Sequence, residues 1–251
     1  MKKKIVATIQ ARLGSTRFPK KVIQMISGKT IIEILVDRLK KSKFINQIVL
    51  ATTSKSSDKP LIQLAKRIGI NYFSGSEADV LDRVTKAVIK SNAYYHVECF
   101  GDSPFIDIDI LDKFINILIK KNLDFVTNSV KTTFPPGSEV LVYKSNVIKK
   151  VNNLVKRDDP LREHVGFNIT RYKNLFKIVN IKAPKNLNFP KIFIELDTKK
   201  DFFVLEKIYK NFQNKYFSLL DILNFLKKNK KIAVYNSKVF RKWKSLRNEK
   251  N

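Results

Sequence analysis

The stretch from Ile5 to Lys21, IVATIQARLGSTRFPKK, constrains the fold of this chain more than any other part of it. A short apolar run at its start is typical of a buried strand, and a polar loop follows the run directly. That loop contains one glycine, two hydroxyl residues and two arginines between positions 10 and 17. Because open α/β sheets place their ligand crevice outside the carboxyl ends of the strands, we expect an α/β sheet whose first strand leads into a ligand-binding loop.

The charge of this loop predicts an anionic ligand. Arg12 and Arg17 carry planar guanidinium groups whose donors match phosphate oxygens, and Lys20 and Lys21 follow them in the chain. Four cations so close together favour a polyphosphate-binding loop. A solvated basic loop in a basic protein is the alternative that composition alone leaves open.

Strand and helix patterns alternate along most of the chain. Strand patterns lie at residues 5–9, 45–52, 70–73, 94–100, 125–128, 139–143, 176–181 and 192–196. Helical spacing lies at residues 30–41, 58–68, 79–91, 109–120, 200–212 and 218–228. The alternation predicts an α/β fold with a Rossmann-like, doubly wound and mostly parallel sheet, and Asp58 is expected to cap the second helix.

The regular alternation is lost between residues 131 and 190. We therefore expect this segment to be a lid or dimer contact inserted into one domain that spans residues 1–237. Its aromatic side chains lack a core periodicity and indicate an interface; they are Phe134, Phe167, Tyr172 and Phe189. Residues 238–251 are polar and predict a poorly ordered tail.

Two aspartates are candidate metal ligands. Asp102 follows the strand pattern that ends at Phe100, and Asp197 follows the strand pattern at 192–196. The carboxyl ends of parallel strands meet at one edge of a sheet, and Mg²⁺ is typically held by one or two carboxylates together with phosphates and water. The pair predicts a magnesium site facing the cationic loop, while capping of the following turn or helix is the other reading of each aspartate.

Several sequence blocks, taken in order, resemble the sugar-acid cytidylyltransferases. ARLGSTRFPKK is similar to the N-terminal signature of that family. Further blocks follow in matching order, namely GSEADVLDRV at 75–84, GDSPFID at 101–107, PPGSEVLVY at 135–143, REH at 162–164 and ELDTKKDF at 195–202. The family includes the CMP-KDO and CMP-acylneuraminate synthetases, and this chain looks most like its spore coat polysaccharide group. The resemblance covers nearly the whole chain and implies the GT-A-like fold of nucleotide-diphospho-sugar transferases.

This resemblance implies roles for the residues at matching positions. Catalytic roles fall on Arg12, Lys21, Asp102 and Asp197, and the two aspartates would hold Mg²⁺. Nucleotide contacts fall on Gln10, Ala11, Arg12, Gly14, Ser15, Arg17, Lys21, Ser74, Gly75, Arg83 and Asp102. Acceptor contacts fall on Glu139, Arg162, Glu163 and His164.

Three positions depart from the family pattern. Lys20 stands where the family commonly has glycine, Glu139 replaces an aspartate, and Leu141 stands where the similar block carries glutamate. The missing carboxylate at position 141 indicates an acceptor that differs from the usual one, or a role that has moved to another residue.

The resemblance implies an enzyme that transfers CMP from CTP to a sugar acid, releases pyrophosphate, serves the assembly of surface polysaccharide or glycan, and forms a homodimer. Two alternatives stay open: nucleotidyl transfer to a phosphorylated sugar or polyol, and polyanion binding without turnover. Pyrophosphate release with CTP, magnesium and a panel of acceptors separates them.

The net charge of +28 invites a different interpretation, because strongly basic chains often bind nucleic acid. The lysines are spread along the whole chain, and zinc-ligand, RNP-like and helix-turn-helix signatures are absent, so we expect no specific nucleic-acid partner. A single cysteine excludes an intramolecular disulfide and favours a reducing compartment. No apolar run approaches the ~20 residues of a membrane span. We expect a cytoplasmic protein without a membrane segment.

Overall fold

A seven-stranded mixed sheet lies at the centre of the fold. The computed structural model describes residues 3–213 and 215–246. Its strands are β1 Ile5–Gln10, β2 Met25–Ile26, β3 Lys29–Thr30, β4 Gln47–Thr53, β5 Asn71–Gly75, β6 Tyr95–Phe100, β7 Phe125–Thr127, β8 Leu141–Lys144 and β9 Ile178–Asn180. The order across the large sheet is β5-β4-β1-β6-β8-β7-β9, and β2 pairs with β3 in a separate hairpin. Only β8 runs antiparallel to its neighbours in the large sheet, so the predicted mostly parallel α/β sheet is confirmed.

Helices cover both faces of this sheet. They are α1 Ile31–Leu39, α2 Lys59–Arg67, α3 Val80–Lys90, α4 Ile108–Lys120, α5 Ser145–Leu154, α6 Val165–Arg171, α7 Lys199–Asn211, α8 Leu219–Lys228, α9 Lys230–Ala233 and α10 Lys242–Leu246. On one face Ile5, Ala7 and Ile9 of β1 pack with apolar residues of α1, α2 and α4. On the other face Val6 packs with Ala87 of α3. Because both faces are covered, β1 is a continuous apolar run rather than an alternating one.

Helices α7 and α8 form a second apolar core together with the β2–β3 hairpin. Both helices begin at capping boxes, Thr198 with Asp201 for α7 and Ser218 with Asp221 for α8. In such a box the cap side chain accepts the backbone N–H of the third helical residue, whose carboxylate in turn accepts the N–H of the cap. The first box fixes the backbone immediately after Asp197. None of the helices in the described ranges has both the length and the apolar composition that a membrane span requires.

The segment 131–190 differs from the predicted insertion. Residues 141–144 and 178–180 are strands β8 and β9 of the large sheet, and α5 packs against α3. Of the four aromatic side chains expected at an interface, Phe134 is a core residue, while Phe167, Tyr172 and Phe189 are partly buried. Phe134 is 5% exposed and lies in the core of α7 and α8, while Tyr172 and Phe189 pack against core clusters. The strand pattern was interrupted because an antiparallel strand and short helices replace the βα repeat here.

The prediction of a strand at residues 192–196 is wrong. These residues form a loop that is tied to the rest of the chain by two backbone hydrogen bonds, Ile194 N to Pro136 O at 2.8 Å and Leu196 N to Asp102 O at 2.8 Å. The apolar side chains that suggested a strand, Ile194 and Leu196, are fully buried under α7 and α8. An apolar run of this length is compatible with either arrangement, and tertiary packing decides between them.

Candidate active site

A cavity of about 820 Å³ opens at the carboxyl ends of β1 and β6. Cavities of this size hold small-molecule ligands. The predicted residues that line it are Gln10, Ala11, Arg12, Gly14, Ser15, Arg17, Lys21, Arg83, Asp102, Glu139, Glu163, His164 and Asp197. The predicted residues Ser74, Gly75 and Arg162 are not among those that line it. The sheet therefore brings most of the predicted site together from distant parts of the sequence.

Asp58 anchors the cationic loop instead of capping α2. Its Oδ1 accepts the backbone N–H of Leu13 at 2.7 Å, and its Oδ2 accepts the hydroxyl of Thr53 at the end of β4. The side chain makes no capping hydrogen bond to the helix that it precedes, which corrects the predicted role. Because the Asp58 carboxylate is buried, its hydrogen bond to the Leu13 N–H stabilises the conformation of the cationic loop.

Lys20 occupies the left-handed backbone region, with φ 57° and ψ 22°. Glycine adopts this conformation without strain, whereas another residue loses about 1 kcal/mol there, which explains the glycine that the family commonly has at this position. Lys20 precedes a single 3₁₀ turn, Lys21–Ile23. The Lys21 side chain at the start of that turn lines the cavity. Lysine at position 20 is therefore compatible with the left-handed backbone conformation that precedes the turn.

Lys21 joins the two predicted metal ligands. Its Nζ donates to Asp102 Oδ2 at 2.7 Å, to Asp197 Oδ1 at 2.9 Å and to the carbonyl oxygen of Leu196 at 2.7 Å. Burial disfavours the ammonium, yet the two carboxylates raise the pKa of Lys21 above its ordinary value. The geometry thus places the two aspartates at one point, although Asp197 arrives there from a loop rather than a strand.

Asp197 is surrounded by cations. Besides Lys21, Arg17 Nη2 lies 2.9 Å from its Oδ1 and Arg241 Nη1 lies 3.9 Å from its Oδ2. Burial opposes its ionisation, but Lys21, Arg17 and Arg241 hold the pKa of Asp197 below its usual range. The carboxylate is therefore charged at neutral pH, as a metal ligand needs to be.

Two further arginines complete the cationic wall. Arg12 Nη2 pairs with Glu163 Oε1 at 2.7 Å. Arg83 is 2% exposed, donates from Nη1 to the Ser76 carbonyl oxygen at 2.5 Å, and has a pKa lowered to about 10, mainly by burial and also by the charge of Arg12. Two like charges held together in a partly buried wall stabilise a polyanion when it binds.

Arg162 is a structural residue, contrary to its predicted contact with the acceptor. Its side chain is 2% exposed, pairs through Nε with Asp79 Oδ2 at 2.8 Å, and donates from Nη1 to the Val155 carbonyl oxygen at 2.8 Å. The guanidinium thereby holds the turn between α5 and α6 against the start of α3. Its neighbours Glu163 and His164 do line the cavity.

Sequence reasoning missed Glu98, a buried acid in the cavity wall. Its Oε1 accepts Gln10 Nε2 at 2.7 Å, its Oε2 accepts the Tyr143 hydroxyl at 2.8 Å, and the backbone N–H of Gly166 also donates to it. Glu98 stands directly opposite Leu141 in the β6–β8 pairing. A carboxyl group is therefore present beside the position where the similar family block carries glutamate. The sequence does carry a signal for Glu98, because an acidic side chain within a predicted buried strand is unusual.

Burial raises the pKa of Glu98 to about 7. The folded state thus keeps this proton up to about pH 7, whereas the unfolded chain releases it near the ordinary value of 4.5. Stability therefore falls as pH rises through this window, by about 3 kcal/mol from this group. Tyr143 and the donors Gln10 and Gly166 N–H face the carboxyl and reduce the shift. We expect Glu98→Gln to remove this pH dependence.

The measurement is the free energy of unfolding in urea at pH 5 and pH 8 for the wild type and Glu98→Gln. A matched control is Glu206→Gln, which alters a surface i,i+4 pair with Lys210. The wild type and the control should lose more stability between the two pH values than Glu98→Gln does. Equal losses in all three proteins would show that Glu98 titrates normally.

The C-terminal residues also differ from prediction. The sequence predicts a poorly ordered tail at 238–251, but its described part, residues 238–246, closes one side of the cavity. Arg241 is fully buried and pairs with Asp201 at 2.6 Å and with Glu195 at 3.4 Å, while Lys242 and Trp243 line the cavity. The buried Asp201 carboxylate is thus paired with a cation that lies outside every recognised sequence block. Residues 247–251 lie outside the described residues.

An open α/β sheet, a cationic loop after its first strand and two aspartates in contact with that loop are compatible with a nucleotidyltransferase. Comparison with known families is more specific, because the family model described as cytidylyltransferase matches residues 6–242. The chain belongs to the cytidylyltransferase family, which confirms the resemblance seen in the sequence blocks.

Individual relatives agree with this assignment. An uncharacterized protein of Methanocaldococcus jannaschii is 36% identical over 239 residues, covering 95% of this chain and 97% of the relative. A spore coat polysaccharide biosynthesis protein of Bacillus subtilis is 29% identical over 211 residues, covering 82% of this chain and 86% of the relative. A solved cytidylyltransferase structure from Leptospira borgpetersenii superposes with a TM-score of 0.87 at 29% identity, covering 95% of this chain and 99% of that one.

Proposed function

We propose that this protein transfers CMP from CTP to a sugar acid, releases pyrophosphate, and serves polysaccharide or glycan biosynthesis. The observation that carries the proposal is the convergence of Arg12, Arg17 and Lys21 with Asp102 and Asp197 in one cavity. Arginine and lysine match the triphosphate, and the carboxylates match a divalent cation. The ordered family blocks support the acceptor class, and the spore coat relative supports a role in polysaccharide biosynthesis.

In the proposed reaction the acceptor hydroxyl attacks the α-phosphorus of CTP in line, and pyrophosphate leaves. Arg12, Arg17 and Lys21 stabilise the charge on the phosphoryl oxygens, because such transfers are catalysed mainly by positioning and electrostatics. Asp58 keeps the loop in place beneath these side chains through the Leu13 N–H. Cation donors fixed before the reaction need no reorganisation as charge develops.

Mg²⁺ is the cofactor of this proposal, and Asp102 with Asp197 would hold it. The pair fits, because Lys21 holds both carboxylates at one point of the cavity wall and contacts one oxygen of each. Within residues 3–213 and 215–246, no group of three or more His, Cys, Asp or Glu side chains is arranged to hold a metal. Two carboxylates with phosphates and water match the usual Mg²⁺ site. Bound Mg²⁺ would supply charge stabilisation to the phosphates.

The second candidate acceptor, a phosphorylated sugar or polyol, is favoured by one observation. Leu141 places an apolar side chain where the similar block carries glutamate, and it packs so closely that a Cβ on Gly166 would lie 2.1 Å from its Cδ2. A phosphorylated acceptor therefore meets one negative charge fewer than it would with glutamate at this position. Pyrophosphate release with CTP, Mg²⁺ and a panel of sugar acids, sugar phosphates and polyol phosphates decides between the two classes.

CTP with Mg²⁺ should raise the melting temperature more than ATP, GTP or UTP does. A ligand that binds only the folded state stabilises it by mass action, and a hundredfold excess over Kd gives roughly 5 °C or more in a chain of this size. Differential scanning fluorimetry with the four nucleotides at equal concentration measures this. Equal shifts for all four would indicate a general phosphate site and contradict the cytidylyl assignment.

We propose a homodimer on the basis of the family resemblance. Within the segment 131–190, Leu154 and Leu175 are 42% and 47% exposed and offer apolar contact. Light scattering at micromolar concentration in moderate salt should give twice the chain mass, and a monomeric mass would contradict the proposal. Cytoplasmic location stays a prediction from the single cysteine, which is buried on β6.

A further inference from the structure

The C-terminal residues 238–246, called here the C-terminal arm, reach the cavity wall through a buried anchor. Arg241 is fully buried, donates from Nη2 to Asp201 Oδ1 at 2.6 Å, and lies over the Phe193 ring at 4.6 Å. Asn236 Nδ2 donates to the same Asp201 oxygen at 2.8 Å. Buried charged groups held this way are strongly coupled to their partners, so the arm has a fixed path.

The arm also contacts the cationic loop. Arg17 Nη1 donates to the Phe240 carbonyl oxygen at 3.2 Å, while Arg17 Nη2 lies 2.9 Å from Asp197. On the opposite side Lys242 Nζ lies 3.9 Å from Glu163 Oε2. The arm therefore runs beside Arg17 and Asp197, the part of the cavity where the proposed function places the triphosphate.

Within the cavity, the arm fixes one carboxyl group. Trp243 Nε1 donates to Glu195 Oε1 at 2.9 Å, and Arg241 Nη1 lies 3.4 Å from the same oxygen. Both contacts are made to Oε1, so among the described residues neither of these two donors occupies Oε2. Glu195 precedes Asp197 by two residues on one loop, and both line the cavity, so a group bound at Glu195 lies near the proposed metal site.

The chemistry of this pair matches a sugar ring. A carboxyl oxygen accepts hydroxyl hydrogens, and an indole offers an apolar face while its N–H is engaged elsewhere. We propose that Glu195 and Trp243 form the acceptor subsite, in which Glu195 binds a ring hydroxyl of the sugar and the Trp243 indole covers the apolar face of the ring. This inference rests on the proposed function, and it adds the part of the acceptor that the site recognises.

Tryptophan fluorescence provides a direct test, because Trp243 is the only tryptophan of the chain. The full-length protein with CTP and Mg²⁺ is titrated with 3-deoxy-manno-octulosonate, N-acetylneuraminate, a sugar phosphate and a polyol phosphate. The sugar that supports pyrophosphate release should change the emission in a saturable manner with a midpoint near its KM. CTP alone should change it much less.

Steady-state kinetics of three variants complete the experiment. Trp243→Ala should raise the acceptor KM about tenfold or more, Glu195→Gln should raise it about tenfold, and Trp243→Phe should raise it less because the ring surface is kept. The KM for CTP should stay within about twofold of the wild type in all three. The matched control is Lys238→Ala, an exposed arm residue that does not line the cavity, which should behave as the wild type does.

Turnover with unchanged emission, or a Trp243→Ala protein with a normal acceptor KM and only a lower melting temperature, would reduce the pair to a structural contact and overturn the subsite. Trp243→Phe keeps the result interpretable if Trp243→Ala fails to fold. If no sugar in the panel supported pyrophosphate release from CTP, the proposed function would be wrong, and the subsite that rests on it would be wrong as well.

Discussion

Replacing Asp102 or Asp197 with asparagine should lower turnover by on the order of a thousandfold or more, since each change removes a charged oxygen from the proposed metal site. The two aspartates meet at Lys21, with N–O distances of 2.7 and 2.9 Å, and so belong to one site. Groups that act as a unit are not additive. The double variant should therefore be scarcely slower than either single variant, and both singles should lose the Mg²⁺-dependent stabilisation by CTP.

The same substitutions should differ in their effect on stability. The Asp102 side chain is 33% exposed, whereas Asp197 is 11% exposed and faces Lys21, Arg17 and Arg241. Removing one partner of a buried ion pair costs on the order of 3 kcal/mol, so Asp197→Asn should melt several degrees lower. Turnover is therefore compared at a temperature where all variants are folded.

Asp109→Asn is the matched control, because Asp109 lies exposed in the first turn of α4 and outside the cavity wall. It should retain wild-type turnover. A folded Asp197→Asn enzyme with near-normal turnover would leave Asp197 as the residue before the α7 cap and remove the partner proposed for Asp102.

The parallel half of the fold could be predicted because its determinants are local. A strand buried on both faces gives an apolar run such as Ile5–Ile9, and a helix on the sheet gives 3.6-residue spacing, whatever the rest of the chain does. The position of Asp102 follows from the same pattern, since it comes two residues after the end of β6. The loop with Arg12, Arg17 and Lys21 is equally local, and its residues do line one cavity.

The remainder depends on contacts between residues far apart in the sequence. The local sequence around Asp58 is typical of a helix cap, yet its carboxylate accepts hydrogen bonds from the Leu13 N–H and the Thr53 hydroxyl instead. Arg241 lies in a segment, 238–251, whose many charged residues are typical of a tail, yet it is buried against Asp201 and Glu195. A charge that local context assigns to solvent becomes a core residue when buried carboxylates oppose it, and periodicity carries no information on that.

Lys21→Met is expected to separate metal binding from turnover. In the wild type the Lys21 ammonium lies between Asp102 and Asp197 and competes with a cation for their oxygens. Without it the two carboxylates repel each other, and a divalent cation relieves that repulsion. Mg²⁺ alone, with no nucleotide, should therefore raise the melting temperature of Lys21→Met more than that of the wild type. Turnover should fall about a hundredfold or more, because the triphosphate loses a preorganised donor.

The opposite directions of these two effects make the test specific. Thermal shift is measured across a Mg²⁺ titration, and pyrophosphate release is measured with saturating CTP and acceptor. Lys29→Met is the control, since Lys29 pairs at 2.6 Å with Asp37, and neither residue lines the cavity. If Lys21→Met lost turnover without any gain in its response to Mg²⁺, the aspartates would be anchors for Lys21 and the metal would bind through the triphosphate alone.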